Sequence, residues 1–188
     1  MDEKIKKRAP SKKVAQKKVT KKEPERKLPP LEERDAFRRK VFSIWAHIDN
    51  VRNVARVLAE RLINNGELDL ARRLAQRVQG HDESKFTPLE FDGMFSEDKA
   101  LLKLAVEHHR SINPHHPQFH NSINHISDLD ACEIVCDWKA RSDEQGTDFH
   151  QWVTEEAPKR FGYSKRGLFY RRIKKFSDLL TEDEMKRI

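Results

Sequence analysis

The sequence has little cysteine, little glycine and no long apolar run, and each shortage narrows what the protein can be. Two cysteines in 188 residues do not staple a fold. Cys132 and Cys136 are four apart in a helical pattern, so they share one face and point the same way. That is poor geometry for a disulfide and suits reduced core thiols in an intracellular, cytoplasmic setting. Their spacing in CEIVC is not that of a zinc finger, which argues against cysteine ligation of a metal. No stretch approaches the ~20 apolar residues of a membrane span, so no membrane association is expected. The N-terminus lacks the apolar core of a secretory signal. No segment alternates apolar and polar residues between turn signals, so nothing reads as a β-sheet.

What is present is charge, unevenly placed. The net charge is +7. Residues 1–27 hold twelve Lys or Arg against four Asp or Glu, whereas residues 28–188 hold twenty-six against twenty-seven. The basic character therefore belongs to the tail, and the body is nearly neutral. Residues 1–28 contain almost nothing that packs, which predicts a disordered Lys-rich tail. Its roles are those of a solubilising or targeting arm, of nuclear import, or of salt-sensitive contact with nucleic acid; it has no aromatic residue to stack on a base.

Residues 29–188 read as one all-α domain of about six to seven helices. From Glu32 to about Asn64 a single stripe runs through Ile44, His47, Ile48, Val51, Val54, Ala55, Leu58 and Leu62. "NNG" at 64–66 ends it, with Gly66 able to adopt the left-handed cap conformation. A second helix over 67–78 stops at Gly80, and His81 and Asp82 follow at once. A short helix begins near Thr87-Pro88. Ser96 is the expected cap of a helix running to about Ser111, and Ser127 of one spanning roughly 128–142. Between them "NPHHPQFHNSINH" is a loop. Two further helices are expected near 148–160 and 164–178.

The nine histidines fall unevenly on this plan. His47 lies on the first apolar stripe, His81 and Asp82 sit at a helix end, and His108 and His109 follow an apolar face. His115 and His116 lie in the Pro-bracketed loop, and Asp137 sits beside a later buried stripe. A single apolar-face His is usually a satisfied core residue. Five such groups with two acids need partners, because desolvating imidazole and carboxylate is costly. A divalent transition metal (Mn, Fe, Co, Ni or Zn) is one such partner.

The order His47, His81-Asp82, Asp137 on helices resembles the HD-domain superfamily of metal-dependent phosphohydrolases, which hold a metal inside a helical bundle. The resemblance covers about residues 40–142 and implies His47, His81, Asp82 and Asp137 as ligands of one metal. It implies His108 as the first of two further histidines that bind a second metal in many members. "HDESKF" is similar to the family's His-Asp-x-x-Lys, in which the Lys (here Lys85) reaches a substrate phosphate. "HHRSINPHHP" resembles the corresponding segment of cyclic-dinucleotide phosphodiesterases of the superfamily, but Arg110 replaces its Glu and "GYP" is absent. His115 and His116 follow His108 by only seven and eight residues, where the second extra ligand of the family falls some two dozen later. "HDESKF", "EHHRSINPHHP" and "VCDW" together also resemble an uncharacterised group of small proteins, common in phages and bacteria, known as DUF5662.

The implied activity is hydrolysis of a nucleotide or other small phosphoester by metal-activated water. Asp82 would receive the water's proton, and Lys85 and Arg110 would neutralise phosphate. His108, His109, His115 and His116 would protonate a leaving oxygen. Two alternatives stay open. One is a di-iron oxygenase of the same superfamily. The other is a non-catalytic helical binding module whose basic tail contacts nucleic acid.

Overall fold

The structure, a computed structural model, describes residues 28–185, with side chains to 181. The expected Lys-rich tail lies outside the described residues apart from Leu28. Among the described residues there is no strand. The helices are α1 (Leu31–Asn64), α2 (Leu68–Arg77), α3 (Pro88–Gly93), α4 (Lys99–Ile112), α5 (Asp128–Gln145), α6 (Phe149–Gln151), α7 (Ala157–Phe161) and α8 (Leu168–Met185). A π-helical turn, Trp152–Glu156, joins α6 to α7 without a break, so the described residues hold seven helical rods. No helix among them is long and apolar enough to cross a membrane.

The apolar stripe of α1 is buried as its periodicity demands: Ile44, His47, Ile48, Val51, Ala55, Leu58 and Leu62 all face inward. It packs along α5 and α2, and α8 closes over α5 and α1. Helix α5 is central, buried at eleven of its positions including Asp130, Glu133 and Ser142. A helix buried on most sides places polar residues inside the molecule, and those must then find partners. Cys132 and Cys136 are both free and fully buried on it, and burial raises both thiols above their ordinary range.

Local chemistry sets the helix ends. Gly66 takes φ +78°, and Glu67 N–H donates back to Leu62 C=O at 2.8 Å, the long-range bond that satisfies an orphan carbonyl of α1. At α5, Ser127 and Asp130 form a reciprocal capping box. Helix α4 starts later than its sequence suggests. Asp98 is the cap, accepting from Ala100 and Leu101 N–H, while Ser96 accepts from Asp98 N–H one step upstream. A carboxylate competes well for a cap because it also meets the positive end of the helix dipole. Helix α3 lies tight on α4: a Cβ at Gly93 would stand 2.5 Å from Ala105 Cβ. That close approach brings Glu90 of α3 up to the histidines of α4.

Candidate metal centre

Helix α2 tightens into a 3-10 turn at Val78–Gly80, and the chain then turns sharply. Asp82 makes the turn with φ 60° and ψ 14°, the one positive φ among the described non-glycine residues. The left-handed region is disfavoured for a residue with a Cβ, and such outliers gather at functional sites. This backbone turns the side chain inward, so Asp82 is 1% exposed beside His81, also 1% exposed.

Four imidazoles converge on Asp82 and Asp137. Nε2 of His47 lies 3.1 Å from Asp137 Oδ1 and 3.4 Å from Asp82 Oδ2. Nε2 of His81 lies 3.6 Å from Asp82 Oδ2 and 4.0 Å from Asp137 Oδ1. The other Asp82 oxygen, Oδ1, faces His109 Nε2 and His115 Nε2, each at 3.2 Å. Yet His47 Nε2, His81 Nε2 and Asp82 Oδ1 are buried without the alignment of a hydrogen bond. Ligands held about 2.1 Å from one ion stand ~3 Å apart at a right angle and ~4.2 Å apart when opposite. The separations around His47, His81, Asp82 and Asp137 fall in that range, and the two ring nitrogens aimed at the centre lack the bond that burial demands. These residues fit a divalent ion.

The opposite edge of each ring explains the aim. His47 Nδ1 meets Glu144 Oε1 at 2.8 Å, His81 Nδ1 meets Glu133 Oε1 at 3.1 Å, and His109 Nδ1 meets Glu90 Oε2 at 2.8 Å. A carboxylate accepting from Nδ1–H leaves the Nε2 lone pair directed at the centre, the arrangement that orients metal-binding imidazoles. Glu133 is itself held by Arg77, 3.3 Å away, and lies 3.6 Å from His115 Nδ1. Ser84 Oγ–H donates to Glu90 Oε2 at 2.8 Å.

The charge balance points the same way. Burial lowers the basicity of His47, but the carboxylates of Asp137 and Asp82 outweigh it and raise the ring to about 9. Burial likewise opposes His115, which Asp82 and Glu133 raise to about 10. Burial would raise Asp82 and Asp137, yet His81 and its fellow imidazoles hold Asp82 well below the usual carboxylate range, and His47 does the same for Asp137. Protons thus compensate a cluster of acids that a cation would also compensate.

The expected site residues divide. His47, His81, Asp82 and Asp137 come together, and Lys85 pairs with Asp82 Oδ2 at the rim of the centre. His108 does not join them. Its side chain is 36% exposed and bonds Glu90 Oε1 at 2.8 Å through Nδ1. Its neighbour His109, one helical step round α4, takes the inner place and joins His115 and His116 in a cluster of three imidazoles. His116 is pushed down to about 3, first by burial and then by the cation on His115. Sequence reasoning missed Glu90, Glu133 and Glu144. One signal was available for two of them: Glu133, Asp137 and Glu144 recur at helical steps of four and seven on α5.

Glu133→Gln keeps the shape but removes the acid that orients His81. We expect metal affinity to fall 10–100-fold with the fold retained, measured by competition with a chelating dye; unchanged affinity would leave Glu133 a purely structural residue.

A family model described as "Family of unknown function (DUF5662)" matches residues 37–182. No curated protein and no solved structure matches the chain.

Proposed function

The chain belongs to DUF5662, a family of unknown function, and from that starting point we propose that it is a metal-dependent phosphohydrolase of the HD-domain type, acting on a small phosphoester. The observation that carries the reading is the set of buried Nε2 atoms of His47 and His81, unbonded and facing Asp82 and Asp137 at the separations of ligands on one ion. His47, His81, Asp82 and Asp137 would hold a Mn, Fe, Co, Ni or Zn ion. When bound, such an ion lowers the pKa of water to about 7 and polarises a phosphoryl oxygen.

The chain's own residues supply the rest. Lys85, whose ammonium rests on Asp82 Oδ2, stands ready to meet a phosphate oxygen. Arg110 and Arg141 border the same cleft as Asp82 and Asp137 and add positive charge. Asp82 and Glu133 raise His115 to about 10 in the metal-free protein, so it can donate to a leaving oxygen, whereas His116, pushed down by burial, can accept a hydrogen bond. Free buried thiols suit a reducing, cytoplasmic setting.

A second reading has one observation in its favour. His109 and His115 flank the second Asp82 oxygen, so His109, His115 and Asp82 would hold a second ion, as a di-iron oxygenase requires. Elemental analysis of purified and reconstituted protein, with turnover of p-nitrophenyl phosphate in Mn2+ or Co2+, separates the two. We expect stoichiometric metal and oxygen-independent hydrolysis. Two irons per chain with oxygen-dependent turnover would replace this reading, and a chain that stays metal-free after reconstitution would end both.

A further inference from the structure

The cleft at the metal centre does not end there. Its inner compartment, about 230 Å³, is bordered by Asp82, Lys85 and His115, and an outer one, about 300 Å³, opens beside it. The two share Arg110, His116, Asp137 and Arg141 as walls, so they adjoin. The outer compartment has a composition of its own: three guanidiniums (Arg110, Arg141, Arg160) and three aromatic rings (Trp138, Trp152, Phe161).

The rings form a corner. Trp138 and Phe161 are parallel within 5° with centroids 5.6 Å apart, and Trp152 stands at 87° to Trp138 at 5.8 Å. Arg160 covers the corner, its guanidinium 5.6 Å from the Trp152 ring centre and 5.7 Å from that of Phe161. The π-helical turn begins at Trp152 and so sets the register between Trp152 and Arg160. Such turns insert a residue into a helix and recur at functional sites. The cations are under-compensated as well. Arg141 pairs with Glu144 at 3.0 Å, but among the described residues neither Arg110 nor Arg160 has a carboxylate partner.

We propose that this outer compartment is a specificity pocket for a planar heteroaromatic ring carried on a phosphoester, as in a nucleotide. The ring stacks on the open face of the Arg160 guanidinium, which Trp152 and Phe161 back, and Arg110 and Arg141 hold phosphate at the boundary between the compartments. Stacking on aromatic side chains is tolerant of base identity, and a guanidinium plane adds to it. A sugar phosphate without a base would occupy the inner compartment and leave the corner empty. The inference deepens the phosphohydrolase reading and rests on it for which end of the ligand faces the metal, but binding to the pocket can be measured without turnover.

The test compares AMP, GMP, CMP and UMP with ribose 5-phosphate on the metal-loaded full chain. Calorimetry gives Kd where the probe stays intact, and KM replaces it where the probe is hydrolysed. At least one nucleotide should bind about tenfold or more tightly than ribose 5-phosphate. Arg160→Ala, at an exposed position, and Trp152→Leu should each erase that advantage while leaving ribose 5-phosphate unchanged. Arg110→Gln should weaken all five probes alike. If no nucleotide is preferred by the wild type, or if the preference survives both substitutions, the proposal is overturned. A nucleotide that binds with the expected preference and is never hydrolysed would uphold the pocket and remove the hydrolase reading instead.

Discussion

Asp82→Asn should empty the metal centre and lower phosphoester turnover by about 10³-fold or more, because the nucleophile is lost when no ion brings water to a pKa near 7. Asp82 joins the two halves of the cluster through its two oxygens: Oδ2 looks to His47, His81 and Lys85, and Oδ1 to His109 and His115. Asparagine is the informative replacement. It keeps the size, and it tolerates the left-handed backbone that Asp82 adopts at φ 60°, where alanine would not. What it removes is the negative charge and one acceptor oxygen. Metal content by elemental analysis should drop from stoichiometric to trace, with far-ultraviolet circular dichroism unchanged. Retained metal together with retained turnover would show that the four-residue assignment is wrong.

The second large effect is a pH dependence that the metal should abolish. In the metal-free protein His47 titrates at about 9, against an ordinary value of 6.5. A base that is stronger in the folded state contributes stability that is fully present below the unfolded value. That stability is lost as pH rises through the folded one. Metal-free protein should therefore weaken between about pH 6.5 and 9, by about 3 kcal/mol from His47 alone at its 5% side-chain exposure. His115, raised to about 10, extends the loss upward, though it shares Asp82 with His47 and the two contributions do not add. A ligating imidazole must be neutral, so metal replaces the proton. At pH 7.5 about one proton per ion should leave His47 on loading, and the melting temperature of loaded protein should stay level across the same range. Thermal melts with and without chelator, and metal titration in weak buffer, check both parts. A metal-free protein that melts at one temperature from pH 6.5 to 9 would show that the acids around His47 do not hold its proton.

Much of the helical plan is written in periodicity. The three- and four-residue steps from Ile44 to Leu62 require one buried stripe, and a histidine inside it had to end up in the interior. Gly66, Ser127 and the His-Asp pair after Gly80 were equally readable, since each of these caps and turns is set by the residues next to it. The late start of α4 was not. Ser96 and Asp98 are both good caps, and the choice between them depends on how the turn after α3 packs.

The site shows the same division. The sequence by itself determined an all-α chain, a nearly neutral body, and a set of histidines and acids on helices that burial would force to seek partners. Only the tertiary structure decided which of two adjacent histidines enters the cluster. On α4, His108 and His109 differ by one helical step, and both find an oxygen of Glu90; the crossing of α4 over the turn at Asp82 turns His109 inward and leaves His108 part-exposed. The acids behind the rings were hidden for a similar reason. Glu133 sits between apolar residues as a charge out of place, and its meaning depends on Arg77, His81 and His115, which come from other segments of the chain. Periodicity reports which face of a helix is buried, because that is set within a few residues. Which buried polar groups meet is set by how separate helices cross, and that information is in no single stretch of the chain.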